Sequence, residues 1–197
     1  MSLPKIILVG AGGHCRSCID VIEAEGKFEI AGVVDRPETG SAEPVLGYPV
    51  LGTDGDLGQL RERYACALVT VGQIKTPAVR IRLFEQLQSL GYELPAICSP
   101  RAWISKHARV GAGTIVMHDA LINAGAAIGE NCIVNSKALV EHDVSVGPHC
   151  HVSTGAILNG GARVGAGTFF GSNAVCFQGA VIPAGSVVPA GHLERGQ

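Results

Sequence analysis

The run IGENCIVNSKALVEHDVSVGPHCHV, residues 128–152, returns an aliphatic residue at every sixth place: Ile128, Val134, Val140, Val146 and Val152. Followed outward, the register holds from Ile104 through Val110, Val116 and Ile122, and onward through Leu158, Val164, Phe170, Cys176 and Ile182 to Val188. None of these positions is polar. Two places before each stands a small residue almost throughout, from Ala102 and Ala108 to Ala180 and Ser186, with Val144 the larger exception. A period of six is neither the 3.6 of a helix nor the open-ended alternation of an ordinary strand, so it marks a structural repeat.

The repeat reads as a parallel β-helix. Each six-residue unit supplies one short strand and one turn, three units close a triangular coil, and coils stack at the sheet spacing of about 4.8 Å. The units from Ile104 to Val188 make roughly five such coils. Aliphatic side chains fill the prism and small residues fit its corners. Gly111, Gly129, Gly147 and Gly165 are expected to take unusual backbone angles there.

The full chain has 197 residues, 47% of them hydrophobic, enough for one large or two small domains with real cores. A net charge of −2 and a pI near 6.4 leave no electrostatic footprint for nucleic acid or an anionic membrane, and neither is expected as a partner. With no signal-like start and no long apolar run, the chain reads as cytoplasmic. Seven cysteines in no framework spacing favour reduced thiols. Cys15 and Cys18 form a lone C-x-x-C, which reads as a redox motif, as half a metal site or, the favoured reading, as a helix start with two small residues. Cys132 and Cys150, eighteen residues apart, should stack as packed thiols in adjacent coils.

Residues 1–98 read as a small α/β, Rossmann-like domain, and 99–197 as the β-helix, with Ser99-Pro100 as the hinge. Strands are expected at Lys5 to Val9, Ile30 to Val34, Ala67 to Val71 and Leu94 to Cys98, with the short stretch Val50-Leu51-Gly52 between the second and third. Helices are expected at Arg16 to Glu25, Asp54 to Arg63 and Ala78 to Leu90, and a surface loop at Arg36 to Gly47. The turn Gly10-Ala-Gly-Gly-His14 after the first strand lets backbone N–H groups approach a phosphate, and equally serves as a purely structural turn. Asp35, closing the second strand, suits a ribose or sugar hydroxyl, or simply forms a turn.

Histidines on a prism of valine and alanine need a reason. His142, His149 and His151 lack the three-histidine pattern, with the last two five apart, of the zinc-holding β-helices that resemble γ-class carbonic anhydrases, and no metal is expected. General-base chemistry fits better: His142 stands between Glu141 and Asp143, and a carboxylate beside an imidazole fixes its tautomer. In extended chain neighbouring side chains diverge, so contact requires a corner conformation. A solvated turn histidine is the plain alternative.

The G-A-G-G-H opening, the V-E-H-D motif and the H-V-S-T-G-A that follows resemble the sugar acetyltransferase family of hexapeptide-repeat proteins that includes sialic acid O-acetyltransferases and bacillosamine-pathway N-acetyltransferases. The resemblance spans nearly the whole chain. It implies a left-handed β-helix, a homotrimer with active sites between subunits, and acetyl transfer from acetyl-CoA to a sugar held partly by the N-terminal domain. By motif position it implies His142 as general base, Asp143 as its orienting partner, and Asn135 and Glu141 as supporting groups. His151, Gly160, Ser172 and Ala190 fall at acetyl-CoA positions, Gly160 through its N–H. Gly12, Gly13, His14, Asp35, Arg36 and Gly72 fall at nucleotide-sugar positions. Arg36 stands where amino-sugar enzymes carry an acidic residue, and the end Pro189-Ala-Gly-His-Leu-Glu-Arg-Gly-Gln197 departs from the usual G-V-P-A-K tail, so that CoA binding is looser or differently completed. The implied reaction is N-acetylation of a UDP- or GDP-linked 4-amino-4,6-dideoxy sugar in surface-glycan biosynthesis, by direct transfer. O-acetylation of sialic acid or another sugar hydroxyl is one alternative. A non-catalytic nucleotide-sugar-binding trimer is another.

Overall fold

The computed structural model describes residues 2–36 and 43–196. Residues 37–42 of the expected surface loop, and Gln197, lie outside them. The chain divides into two compact units: Met1–Gly72 with Ala78–Pro95, and Gln73–Pro77 with Ala96–Gln197.

In the first unit β1 (Lys5–Val9), α1 (Gly13–Glu25), β2 (Glu29–Asp35), β3 (Val50–Thr53), α2 (Leu57–Leu60), β4 (Cys66–Val69) and α3 (Ala78–Ser89) follow in order. All strand pairs are parallel, in the order β3-β2-β1-β4. β1 and β4 are buried along nearly their whole length, as strands covered on both faces must be. α1 turns Cys15, Cys18, Ile19 and Ile22 inward at helical spacing and stops at Gly26, whose left-handed φ of 67° lets its N–H reach the Ile22 carbonyl. The C-x-x-C is therefore a pair of buried core thiols, and burial pushes both upward from the ordinary thiol range. The helix expected at Asp54 to Arg63 forms as a 3-10 turn, Asp54–Asp56, followed by the single turn of α2.

The second unit is the left-handed parallel β-helix, three sheets of two-residue strands with five, six and six members. Its core is the column set read from the sequence, Val116 to Val188, with Cys132, Cys150 and the alanines between. The helix begins one strand earlier than expected. Leu94 to Cys98 does not close the N-terminal sheet: Glu93 bridges Cys66, while Ile97–Cys98 pairs with Ile115 and Val116 of the β-helix. Cys98 and Ala96 continue the period backward by one unit, which explains the capture. At the other end Leu193–Glu194 adds a strand beside Val175–Cys176, although Glu194 breaks the apolar register.

The glycine expectation is corrected in its cause. Left-handed backbone recurs every six residues in a different column, where Asp119, Asn131, Lys137, Asp143, His149 and Asn173 take φ of 50–61° and glycines such as Gly125 and Gly155 alternate with them. Gly111, Gly129, Gly147 and Gly165 are not in that column. They are small because a coil passes close overhead: a Cβ on Gly129 would lie 2.6 Å from the Pro148 nitrogen and 2.8 Å from its Cα. Backbone cannot yield as a side chain does, so Gly129→Ala is expected to lose about 1–3 kcal/mol of β-helix stability, read as an earlier denaturant midpoint.

Candidate active site

His142 and Asp143 occupy one corner of the β-helix. Asp143 has a φ of 61°, and this left-handed turn is the corner conformation that swings its carboxylate back beside the preceding side chain. Its Oδ2 lies 3.0 Å from His142 Nδ1, with both side chains open to solvent at 72% and 57%. A carboxylate oriented at Nδ1 holds the proton there and leaves the Nε2 lone pair available to accept. The coils above and below are cut away to make room. A Cβ on Gly160 would fall 2.6 Å from Nε2, and one on Gly125 would strike the Asp143 carboxylate.

The backbone at this corner is tied on both sides. Asp143 N–H donates to the Ala124 carbonyl at 3.1 Å, and the His142 carbonyl accepts from Gly161 N–H at 2.9 Å. Glu141 Oε2 accepts His142 N–H at 3.2 Å and Asn123 Nδ2 at 2.9 Å. Glu141 thus serves the backbone of His142 rather than its ring, and Asn123, not singled out from the sequence, steadies Glu141. The signal was present: Asn123 lies eighteen residues before Glu141, one full coil.

Gly160 is set apart by its neighbour. Asn123, Asn135 and Glu141 each use a side-chain oxygen to accept the next residue's N–H. Asn159 donates through Nδ2 to the Cys176 carbonyl at 2.7 Å, and among the described residues its oxygen does not accept Gly160 N–H in the way those three do. Asn135 reaches His151, whose Nε2 is 3.1 Å from Asn135 Nδ2 and whose Nδ1 is 2.6 Å from the Gln73 carbonyl. His151 is 7% exposed. Ser172 Oγ shares a hydrogen bond of 2.9 Å with Ser153, and Ala190 is exposed one coil further on.

The thiols of the β-helix face inward. Cys132 Sγ donates to the Gly147 carbonyl and Cys150 Sγ to that of Gly165, and Cys150 N–H points at Cys132 Sγ. The hydrogen bond with Cys132 and burial raise the Cys150 thiol well above the ordinary range. Such thiols are poor nucleophiles. Among the described residues, no three His, Cys, Asp or Glu side chains gather as a metal site, and no helix is long and apolar enough to cross a membrane.

In the first unit, Gly12 caps α1 without a side-chain hydrogen bond, and a Cβ on Gly12 or Gly13 would meet nothing within 4 Å. The turn is open, and the N–H groups of a thirteen-residue helix begin there. Ala11 N–H lies 3.5 Å from Asp35 Oδ1, and Gly72 packs against the His14 side chain. Arg36 is exposed at the edge of the described residues. Two residues missed in the sequence shape this end of β4. Thr70 Oγ1 donates to the Gly10 carbonyl at 2.7 Å, and buried Arg80 donates to the carbonyls of Val69 and Val71.

The PglD N-terminal domain family matches residues 5–87. The chain is similar to the acetyltransferase domain of PglB from Neisseria gonorrhoeae FA1090, solved in complex with acetyl coenzyme A: 30% identity, TM-score 0.87, covering 96% of this chain and 90% of that one. It is also similar to a variant of GDP-perosamine N-acetyltransferase from Caulobacter crescentus, solved with CoA and GDP-perosamine, at 31% identity and TM-score 0.70 over 98% and 93% of the two chains. WeeI from Acinetobacter baumannii AYE, at 20% identity and TM-score 0.75 over 98% and 96%, shares the fold. A search of curated proteins finds no significant match. With two solved acetyltransferases at or above 30% identity over nearly its whole length, the chain belongs to the PglD-like family of hexapeptide-repeat sugar acetyltransferases, acyltransferases whose acetyl donor is acetyl-CoA.

Proposed function

We propose that the chain N-acetylates a nucleotide-linked 4-amino-4,6-dideoxy sugar, carried on UDP or GDP, for surface-glycan biosynthesis. The observation that carries the reading is the His142–Asp143 pair, with Nδ1 against the carboxylate and Nε2 left beside the side-chain-free Gly160. The acceptor amine attacks the thioester carbon, its proton passes to His142 Nε2, the C–S bond breaks, and the proton passes on from Nε2 to the departing sulfur, which releases CoA as the thiol and restores the base. Gly160 N–H is assigned to the developing oxyanion, which its uncapped position favours. Transfer is direct, in keeping with buried, raised thiols that offer no acyl-enzyme nucleophile.

Gly160, Ser172 and Ala190 are proposed to line the acetyl-CoA path, and Asn135 to face the acceptor. Gly12, Gly13, His14, Asp35, Arg36 and Gly72 are proposed to hold the nucleotide-sugar, the open glycine turn taking the diphosphate. GDP-perosamine, the ligand of the Caulobacter relative, is itself an amino sugar on a nucleotide. The seven free cysteines suit the reducing cytoplasm, where we place the reaction.

A homotrimer is proposed on the outward column of one sheet, which is apolar from end to end: Trp103, Leu121, Leu139, Ile157, Val175 and Leu193. Trp103 is 67% exposed in the single chain, and such a stripe calls for a partner surface. Sedimentation equilibrium is expected to return the mass of three chains; a monomer mass would remove the trimer.

The reaction is tested by thiol release from acetyl-CoA across nucleotide-linked 4-amino-6-deoxy sugars, matched 4-hydroxy sugars and free sialic acid. Turnover confined to amines is expected. Turnover confined to hydroxyls would move the chain to O-acetylation, and neither turnover nor CoA binding would leave a binding module.

A further inference from the structure

α3 turns one face into the first unit at helical spacing, and the residues on that face are Arg80, Leu83, Phe84 and Leu87. An aliphatic side chain at the first place would continue the stripe without desolvating a charge. Arg80 stands there instead, 1% exposed. A buried guanidinium is costly unless its hydrogen bonds are made. Arg80 Nη1 donates to the Val69 carbonyl at 3.0 Å and to the Val71 carbonyl at 2.7 Å. These two carbonyls flank Thr70 at the C-terminal end of β4. Thr70 ties the same segment to β1, its N–H donating to the Val9 carbonyl at 2.9 Å and its Oγ1 to the Gly10 carbonyl at 2.7 Å.

The clamp leads to the glycine turn. Gly10 has a φ of 113°, and a Cβ there would strike Val71 Cγ2 and lie 3.0 Å from the Val71 nitrogen. Val71 therefore lies on the bare Cα of Gly10. The next residue, Gly72, would place a Cβ 3.5 Å from that of His14, so the segment leaving β4 runs beside the turn from Gly10 to His14. Within that turn Gly12 caps α1 without a side-chain hydrogen bond, and the first turn of the helix carries no acid. An acid is what a helix start ordinarily recruits, and an anionic ligand answers the same need. The charge of Arg80 is felt in α1 itself: burial raises the Cys18 thiol, and the guanidinium works against that rise.

We propose that Arg80 is a positioning residue for the diphosphate of the nucleotide-sugar: by clamping Val69 and Val71 it holds the end of β4 against Gly10 and so sets the turn whose N–H groups take the phosphates. The inference rests on the reading of the glycine turn as the diphosphate site, and it needs neither the acceptor sugar nor acetyl transfer. Arg80 is buried, so it acts on the turn and not on the ligand. In the sequence it shows only as a cation in an apolar place of a helical stripe.

The test is an NMR titration of the full chain, following the Gly12, Gly13 and His14 amides, with UDP and GDP and with the phosphate-free nucleosides uridine and guanosine. Arg80→Met keeps the length of the side chain and removes its donors. It is expected to weaken the preferred diphosphate about tenfold, the worth of one or two lost hydrogen bonds, and to leave the affinity for the nucleoside unchanged. Arg80→Lys, which returns a cationic donor to the same carbonyls, should recover most of the loss. Thr70→Val removes the other hold on Gly10 with little change of shape, and the same diphosphate-selective loss is expected there even if Arg80→Met does not fold. Variants that bind the diphosphate as the wild type does would overturn the proposal and leave the nucleotide site standing. Equal losses for diphosphate and nucleoside would also overturn it, since Arg80 would then support the domain as a whole. A wild type that binds neither UDP nor GDP would remove the nucleotide-sugar reading and this inference with it.

Discussion

Gly160→Ala is expected to lower kcat about 100-fold while leaving the unfolding midpoint close to that of the wild type. Gly160 does not have a left-handed φ, so its backbone accepts an alanine without strain. What the new Cβ meets is His142, at 2.6 Å from Nε2, 2.8 Å from Cε1 and 3.3 Å from Cδ2. The ring is more than half exposed and swings away easily, so the fold is spared and the base is displaced. The corresponding change at Gly129 meets the backbone of Pro148 and has the opposite outcome, a stability loss without any contact to the site. Measuring kcat and denaturant midpoint for both variants separates a glycine kept for the chemistry from one kept for the coil. A Gly160→Ala enzyme with wild-type kcat would mean that His142 works from a different position.

The β-helix was legible because its core repeats. One aliphatic and one small residue per six set strand, corner and stacking at once, and thus the columns that put Cys132 beneath Cys150 and His142 beneath Gly160. The ends were less legible. Cys98 continues the period but directly follows the α/β segment, while Glu194 places a carboxylate in the apolar register of the last strand. The meaning of the glycines was not legible, because absence of a side chain serves two purposes. At Gly155 it accommodates a left-handed turn and at Gly147 the approach of the next coil, and only coordinates tell them apart.

The site divides in the same way. That His142 and Asp143 could touch required a corner, and Asp143 lies in a column filled mostly by glycine, asparagine and aspartate, the residues that tolerate left-handed backbone, with Lys137 and His149 as the exceptions. General-base chemistry at His142 was suggested by its two acidic neighbours, while the choice of Asp143 as its partner and the role of Gly160 came from the resemblance to known acetyltransferases, not from spacing. Gln73 was hidden on other grounds: it acts through a carbonyl, seventy-eight residues from His151, and a backbone group has no sequence signature.

Replacing His142 by alanine is the second large effect and the most direct test of the central claim, that this imidazole takes the proton from the acceptor during direct transfer. The side chain is exposed and fills no core volume, so its removal creates no cavity, and CoA affinity and fold should persist. A positioned general base contributes about 10²- to 10⁴-fold, and kcat is expected to fall by at least that range. The measurement is thiol release from acetyl-CoA in the presence of a nucleotide-linked 4-amino sugar, wild type and His142→Ala side by side at matched CoA occupancy. Loss of turnover with CoA binding retained is the expected result; a His142→Ala enzyme turning over within a few-fold of wild type would contradict the assignment of the base.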